Sequence, residues 1–440
     1  MTSMTMSVVE IVNCRYHGSM ARFLYSTLFY LLQPLVLARL AWRSLRAPDY
    51  RRRVCERYGR GGEFHSGGIW LHAVSVGETI ASVPLVKALQ QAYPDLPLMV
   101  TTTTPTGSVQ VQRIFAGSVD HVYAPYDLPG SAGHFIDRLQ PCLFIIMETE
   151  LWPNLIHACS TRNIPVIVAN ARLSERSARG YARLPGLVRP MMSAISTVAV
   201  QTAVERDRFV ELGVQPERAV VCGSIKFDIE IDAAEREQAS QRKKQWSLMQ
   251  RPVWIAASTH EGEDAIVLAA HKQLLSQYPN ALLILVPRHP ERFDQVANLC
   301  AQEAMTVTRR SSEDLITERT QVLLGDTMGE LLALYGLAQM AFIGGSLQGN
   351  GGHNMLEAAA WGLPILSGPD VFNFQEISDR LVAAGAMTIV ADATEMAATV
   401  ISWTEDAAAA AQAGTAAAEL LAANRGAGDK LLSLIGNYLD

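Results

Sequence analysis

Residues 342–369 read FIGGSLQGNGGHNMLEAAAWGLPILSGP. A short apolar run, Met340–Ile343, enters a loop with five glycines among residues 344–352. A helix expected to start near His353–Asn354 follows, and Pro364–Leu366 is apolar again. Strand, glycine-rich turn, helix and strand make one unit of a parallel α/β sheet. Backbone N–H groups at such a helix start form an anion site, to which Gly351 and Gly352 would contribute. The spacing is neither GxGxxG nor a Walker loop, so dinucleotide binding and ATP hydrolysis gain little support. Glu357, one turn into the helix, is placed to accept hydrogen bonds from ribose hydroxyls. The plain alternative is a glycine-rich turn that binds nothing.

The same unit recurs along the chain. Upstream in this half, Val253–Ala257, Leu282–Val286, Met305–Thr308 and Val322–Gly325 are strand candidates, and Met387–Val390 follows. In the first half the candidates are Ile69–Val74, Leu98–Thr103, His121–Ala124, Leu143–Met147, Val166–Ala169, Thr197–Gln201 and Ala219–Gly223. Unbroken apolar runs alternating with helices indicate parallel sheets covered on both faces. The chain has 440 residues, more than a single core holds, so two domains are expected. The reading divides it into a loose extension (1–20), a membrane-associated helix (21–46), an N-terminal Rossmann-like domain (47–227), a linker (228–251), a C-terminal Rossmann-like domain (252–423) and a tail (424–440). The Ala-rich stretch Ala407–Ala423 is a strong helix former, expected to pack back across the domains.

Charge is unevenly spread. Residues 1–60 hold ten arginines against Glu10, Asp49 and Glu56, a net of +7 in a chain of net −6. The segment Phe23–Trp42, FLYSTLFYLLQPLVLARLAW, is about long enough to cross a bilayer, but Pro34 and Arg39 interrupt it. A monotopic anchor with its arginines on anionic headgroups competes with a short transmembrane helix, and a buried core helix is the plain alternative. Either membrane reading puts the body on the cytoplasmic side of the inner membrane, with anionic lipids as partners and no role for nucleic acid. The six cysteines show no CxxC spacing and fit reduced, mostly buried thiols.

Four clusters stand at strand ends in the first half. In GGIWLHAVSVGET (67–79) Glu78 opens a helix at the strand-end crevice, where a general base belongs; dipole stabilisation of a carboxylate is the plain alternative. FIIMETELWPN (144–154) carries Glu148 and Glu150, one facing the cleft or one capping the next helix. NARLSERS (170–177) offers Arg172 and Arg176, for an acidic acceptor or for surface ion pairs. GSIKFD (223–228) puts Lys226 at the end of the last strand. In the second half, VPRHPERF (286–293) places Arg288 at a strand's carboxyl end, where it can grip phosphate or carboxylate in bidentate fashion. GDTMGEL (325–331) turns at Gly329 and Glu330. The histidines lack metal-ligand spacing and no DxD follows a strand, so no metal is expected. No GxSxG points to serine hydrolysis.

HAVSVGET, METELWPNL, NARLSERS, GSIKFD, PRHPERF, GDTMGEL and GGHNMLEAA resemble, in this order, segments of the 3-deoxy-D-manno-octulosonic acid (Kdo) transferases. The likeness runs from about Phe23 to about Ala423. It implies a GT-B fold, two doubly wound domains facing across a cleft. It also implies inverting transfer of Kdo from CMP-Kdo to the tetraacylated lipid A precursor, without cofactor or metal. Two Kdo additions follow from the likeness to enterobacterial-type enzymes. Glu78 would be the catalytic base, with Glu148 and Lys226 stabilising the transition state. CMP contacts would come from Pro287, Arg288, Met328, Gly329, Glu330, Asn354, Met355, Leu356 and Glu357. Met355 departs from a proline common in relatives. A GT-B enzyme using a UDP-sugar, and a non-enzymatic membrane-bound nucleotide sensor, are the rival readings.

Overall fold

The computed structural model describes residues 8–312 and 316–439. The chain forms two compact units, 1–228 with 425–440, and 229–424.

In the first unit the strands are β1 (Ile69–His72), β2 (Leu98–Thr102), β3 (Asp120–Tyr123), β4 (Leu143–Met147), β5 (Val166–Ala171), β6 (Thr197–Val200) and β7 (Ala219–Val221). All pair in parallel, in the order β3-β2-β1-β4-β5-β6-β7. Its helices are α1 (Val8–Leu31), α2 (Gln33–Arg46), α3 (Val76–Ala92), α4 (Pro105–Phe115), α5 (Pro129–Leu139), α6 (Pro153–Ser160), α7 (Glu175–Ala182), α8 (Pro185–Ser193) and α9 (Ala203–Glu211). β1, β2, β4, β5 and β6 are buried at every position because both faces of the sheet are covered. Trp70 stacks on Phe144 at 3.7 Å on one face, while Leu71, Val100 and Ile145 point to the other.

In the second unit α10 (Ala233–Gln245) precedes β8 (Val253–Thr259), α11 (Glu263–Gln277), β9 (Leu282–Pro287) and α12 (Phe293–Gln302). Then come β10 (Val307–Arg309), β11 (Val322–Leu324), α13 (Leu331–Tyr335), β12 (Met340–Ile343), α14 (Leu356–Ala360) and β13 (Ile365–Ser367). The unit ends with α15 (Gln375–Ala383), β14 (Met387–Ile389), α16 (Ala393–Glu405) and α17 (Ala407–Ala423). Its parallel sheet runs β10-β11-β9-β8-β12-β13-β14. The strand order reverses between β1 and β4 in one sheet and between β8 and β12 in the other. Ligands of open α/β sheets bind at such reversals, outside the carboxyl ends of the strands.

Every expected strand is present, with no end shifted by more than two residues. The segments between domains differ from the reading. Residues 228–251 hold α10, which Asp232 and Glu235 start with a reciprocal capping box, and which belongs to the second unit. The Ala-rich α17 stays within that unit, against α14, α15 and α16. It is α18 (Ala427–Gly436), from the supposed tail, that returns to the first unit and buries Leu431 and Ile435. At the other end, helix starts at Val8 rather than near residue 21, and residues 1–7 of the expected extension lie outside the described residues. The helix expected over 21–46 is two, bent by 45° between Leu31 and Gln33. Pro34 sits in the first turn of α2, where a missing N–H costs nothing. Among the described residues no single helix is long and apolar enough to cross a membrane; the bent pair together is. Phe23, Leu24, Leu28, Leu31, Leu35, Trp42 and Leu45 stand exposed on this pair.

Candidate active site

Four side chains of the first unit gather at the carboxyl edge of its sheet. β1 ends at His72, and Ser75 caps α3 by accepting from Glu78 N at 3.2 Å. Glu78 bends back into the loop: Oε2 accepts from Val74 N at 2.8 Å and Oε1 from the Ser75 hydroxyl at 2.9 Å. It is buried, and burial pushes its pKa up to about 7 against the pull of those two donors. The charges of Glu150 and Glu148 push it further up. A carboxyl poised near neutrality suits a general base.

Glu148 is the first residue past β4. Its N–H still donates to Ala169 O at 2.9 Å, but its φ of +57° is left-handed, rare for a residue with a side chain. Lys226 Nζ lies 3.9 Å from Glu148 Oε1. Lys226 is not on a strand as expected but in the 3-10 turn Ile225–Phe227 beyond β7. Asn170, also left-handed at +53°, holds that turn by accepting from Ile225 N at 3.2 Å. The register of β5 on β6 slips around Asn170. Strained residues and bulges at the ends of neighbouring strands are a signature of a built site. Asn was the available signal here, since it tolerates the left-handed region best after glycine. Glu150 accepts from Trp152 Nε1 at 3.2 Å, and neither it nor Glu148 caps α6. Arg172 and Arg176 are exposed, away from carboxylate partners among the described residues.

The second unit holds the expected donor residues at the carboxyl edge of its own sheet. Pro287 ends β9, and Arg288 N donates to Thr259 O at 3.0 Å. The Arg288 side chain has no hydrogen-bond or ion-pair partner among the described residues, while its charge acts on Glu357, His260 and His353. Met328 is exposed beside Gly329, whose φ is +88°. Glu330 is tied to Arg310 at 2.8 Å and to the Thr327 hydroxyl. Asn354, just before α14, accepts from Leu356 N at 3.2 Å and reaches Glu357 at 3.5 Å. Burial raises the Glu357 pKa against the pull of Asn354 and Arg288.

In the glycine-rich loop three amides, those of residues 345–347, are taken by the protein's own carboxylate. The fully buried Glu263 accepts from Gly345 N (2.7 Å), Ser346 N (2.9 Å), Leu347 N (2.9 Å) and His260 N (2.8 Å). Gly352 N donates to Gly345 O, so it too is committed. Gly351 is required by its φ of +86°, in the left-handed region. The helix starts at Leu356, later than expected, and runs only five residues; Met355 and Leu356 are wholly buried. Their side chains pack inward, which leaves backbone as their means of touching a ligand.

Sequence reading missed the imidazoles here. His260 Nε2 and His353 Nε2 share one hydrogen bond at 2.8 Å, and His289 meets His260 edge-on at 5.3 Å. Burial, then the neighbouring Arg288 charge, pull the His353 pKa down to about 4, so the pair is neutral near pH 7. Among the described residues no group of three His, Cys, Asp or Glu is arranged to hold a metal ion. Glu263 was signalled only by its place, three residues past His260 at a helix start.

The profile of the family described as 3-deoxy-D-manno-octulosonic-acid transferase (kdotransferase) matches residues 52–229. A 3-deoxy-D-manno-octulosonic acid transferase of Haemophilus influenzae is 46% identical over 427 residues, 96% of this chain and 99% of its own. One from Bordetella pertussis is 34% identical over 85% of this chain and 89% of its own. Among solved structures, a UDP-GlcNAc 2-epimerase of Neisseria meningitidis aligns with a TM-score of 0.53 at 14% identity, over 79% of this chain and 94% of that one. That likeness shows the paired Rossmann fold and nothing of the reaction.

Proposed function

We propose, from the premise that the chain belongs to the Kdo transferase family, that this glycosyltransferase moves Kdo from CMP-Kdo to the tetraacylated lipid A precursor. The observation that carries the reading is Glu78, a buried carboxyl with a pKa near 7 beside the Glu148–Lys226 pair. Glu78 takes the proton of the acceptor hydroxyl as its oxygen attacks the anomeric carbon of Kdo. The bond from that carbon to the CMP phosphate oxygen breaks, and CMP leaves with the electron pair. One displacement inverts the anomeric centre. Lys226, held by Glu148, neutralises the Kdo carboxylate or the leaving phosphate, and Arg288 supplies a second cation, so the step requires no metal. CMP is bound through Pro287 and Arg288, Met328–Glu330 and the residues 354–357. Two successive transfers are expected.

The acceptor's acyl chains stay in the inner membrane, on its cytoplasmic face. The exposed apolar side chains of α1 and α2 support this placement, as do the arginines that follow them. Deleting residues 1–45 is expected to release the protein from anionic vesicles. Undiminished co-sedimentation would argue against the anchor.

The direct test incubates the protein with CMP-Kdo and the tetraacylated precursor in the presence of a chelator and weighs the lipid product. A gain of two Kdo units is expected. No gain, with protein folded and donor intact, would favour a UDP-sugar donor, and a thermal-shift comparison of CMP with UDP would then decide.

A further inference from the structure

The helix that follows the Glu148 turn has no cap of its own. Trp152 stands at the N-cap of α6 and offers no side-chain acceptor. Its first amides are taken by Asp127, from the loop between β3 and α5. Oδ2 accepts from Asn154 N at 3.1 Å, and Oδ1 from Leu155 N at 2.8 Å. Asn154 returns the bond, Nδ2 donating to the Asp127 carbonyl at 2.7 Å. Asp127 and Asn154 are 3% and 1% exposed. Helix α1 closes this clamp. The Tyr25 hydroxyl donates to Asp127 Oδ2 at 3.0 Å, and the Ser26 hydroxyl is shared between the Arg22 carbonyl at 2.8 Å and Asn154 Oδ1 at 3.2 Å.

Five residues, 148–152, separate β4 from α6. One end of this turn is fixed by the Glu148 N–H in the ladder. The other is fixed by the clamp. Between them the Trp152 ring meets His72 edge-on at 4.8 Å, and His72 ends the strand that leads to Glu78. Buried carboxylate networks hold geometry tightly when complete and poorly when a donor is missing.

We propose that α1 is a positioning element of the catalytic turn: through Tyr25 and Ser26 it completes the Asp127 clamp on α6 and thereby places Glu148. Turnover then depends on Tyr25 and Ser26 even with the acceptor dispersed in detergent, where anchoring to a bilayer has no part. The inference rests on the reading of Glu148 as a group acting on the transferred sugar.

The test compares wild-type protein with Tyr25→Phe/Ser26→Ala and with Thr27→Ala, which removes an outward hydroxyl on the same helix. With CMP-Kdo and detergent-dispersed acceptor, kcat of the double variant is expected to fall on the order of tenfold to a hundredfold, the loss typical of about 1 Å of misplacement. KM for CMP-Kdo is expected to hold, and Thr27→Ala to match wild type. Amide hydrogen exchange over residues 148–155 should speed up in the double variant alone. Should that variant fail to fold, Tyr25→Phe, which keeps the ring stacked on Phe29, carries the comparison. Unchanged exchange overturns the clamp whatever transfer shows. Faster exchange with unchanged kcat overturns the positioning role. Absence of transfer by the wild type would instead refute the assigned reaction, and the exchange data would still decide the clamp.

Discussion

Glu78 answers two opposed demands, and pH separates them. Its folded pKa of about 7 lies above the ordinary 4.5. A raised carboxyl pKa contributes stability that is full below about 4.5 and is lost as pH climbs through about 7. The ionised form that a base requires is therefore the one that the fold disfavours. Wild-type kcat/KM should rise with pH to a plateau above about 7; a flat profile from about pH 6 to 8 would remove Glu78 as the base. Glu78→Gln should end transfer, leave CMP binding intact, and raise the Tm at about pH 8 with no gain at about pH 5. Glu148 makes a parallel case. Its left-handed backbone costs roughly 1–2 kcal/mol, and its half-exposed partner Lys226 returns about 0–1 kcal/mol. Glu148→Gly should then unfold at the wild-type temperature or slightly above, while kcat drops about a hundredfold or more; a large loss of Tm would contradict the strain. The acid itself was legible, since METE follows an apolar strand. Its conformation was not, because glutamate carries no turn signature of the kind that Asn170 does.

The strands were legible because burial on both faces writes itself as apolar runs, LFIIM and LLILVP among them. The loops between them were less so. The glycines of 344–352 announce backbone that needs unusual φ angles, yet the sequence does not say what satisfies its amides. That partner, Glu263, lies more than eighty residues upstream on α11, and distance in sequence hides it. The first turn of the loop is thus held by a buried carboxylate. Glu263→Ala leaves four amides without an acceptor, at about 1–3 kcal/mol for each buried donor. The second unit should lose several kcal/mol in urea unfolding, and CMP affinity should fall about tenfold as His260 and His353 lose their support. Glu263→Gln keeps one good acceptor oxygen and should fall between. Undiminished CMP affinity in Glu263→Ala, measured by calorimetry, would separate this loop from donor binding.

The chain crosses between its two units twice, and the first unit is finished only by the last residues. Asp228, just before one crossing, accepts from Gly426 N at 2.7 Å and Gly428 N at 2.6 Å, just after the other. Beyond them α18 lays Ala427, Leu431 and Ile435 over Cys222 and Ile225. Sequence alone left 424–440 a tail because a ten-residue amphipathic helix does not name its partner, and that partner is two hundred residues away. The consequence is that a change near the C-terminus should injure the unit that holds Glu78, not the unit 229–424. Leu431→Ala removes a fully buried side chain and should cost about 2–5 kcal/mol. Cys222, buried with a raised pKa, should become open to alkylation, read by mass spectrometry against the exposed Cys55. Calorimetry should show one transition moved to lower temperature, and CMP should stabilise the other. Over the interval between them the variant should bind CMP and transfer nothing. If CMP binding vanished together with transfer, α18 would be supporting both units, and its assignment to the first would be wrong.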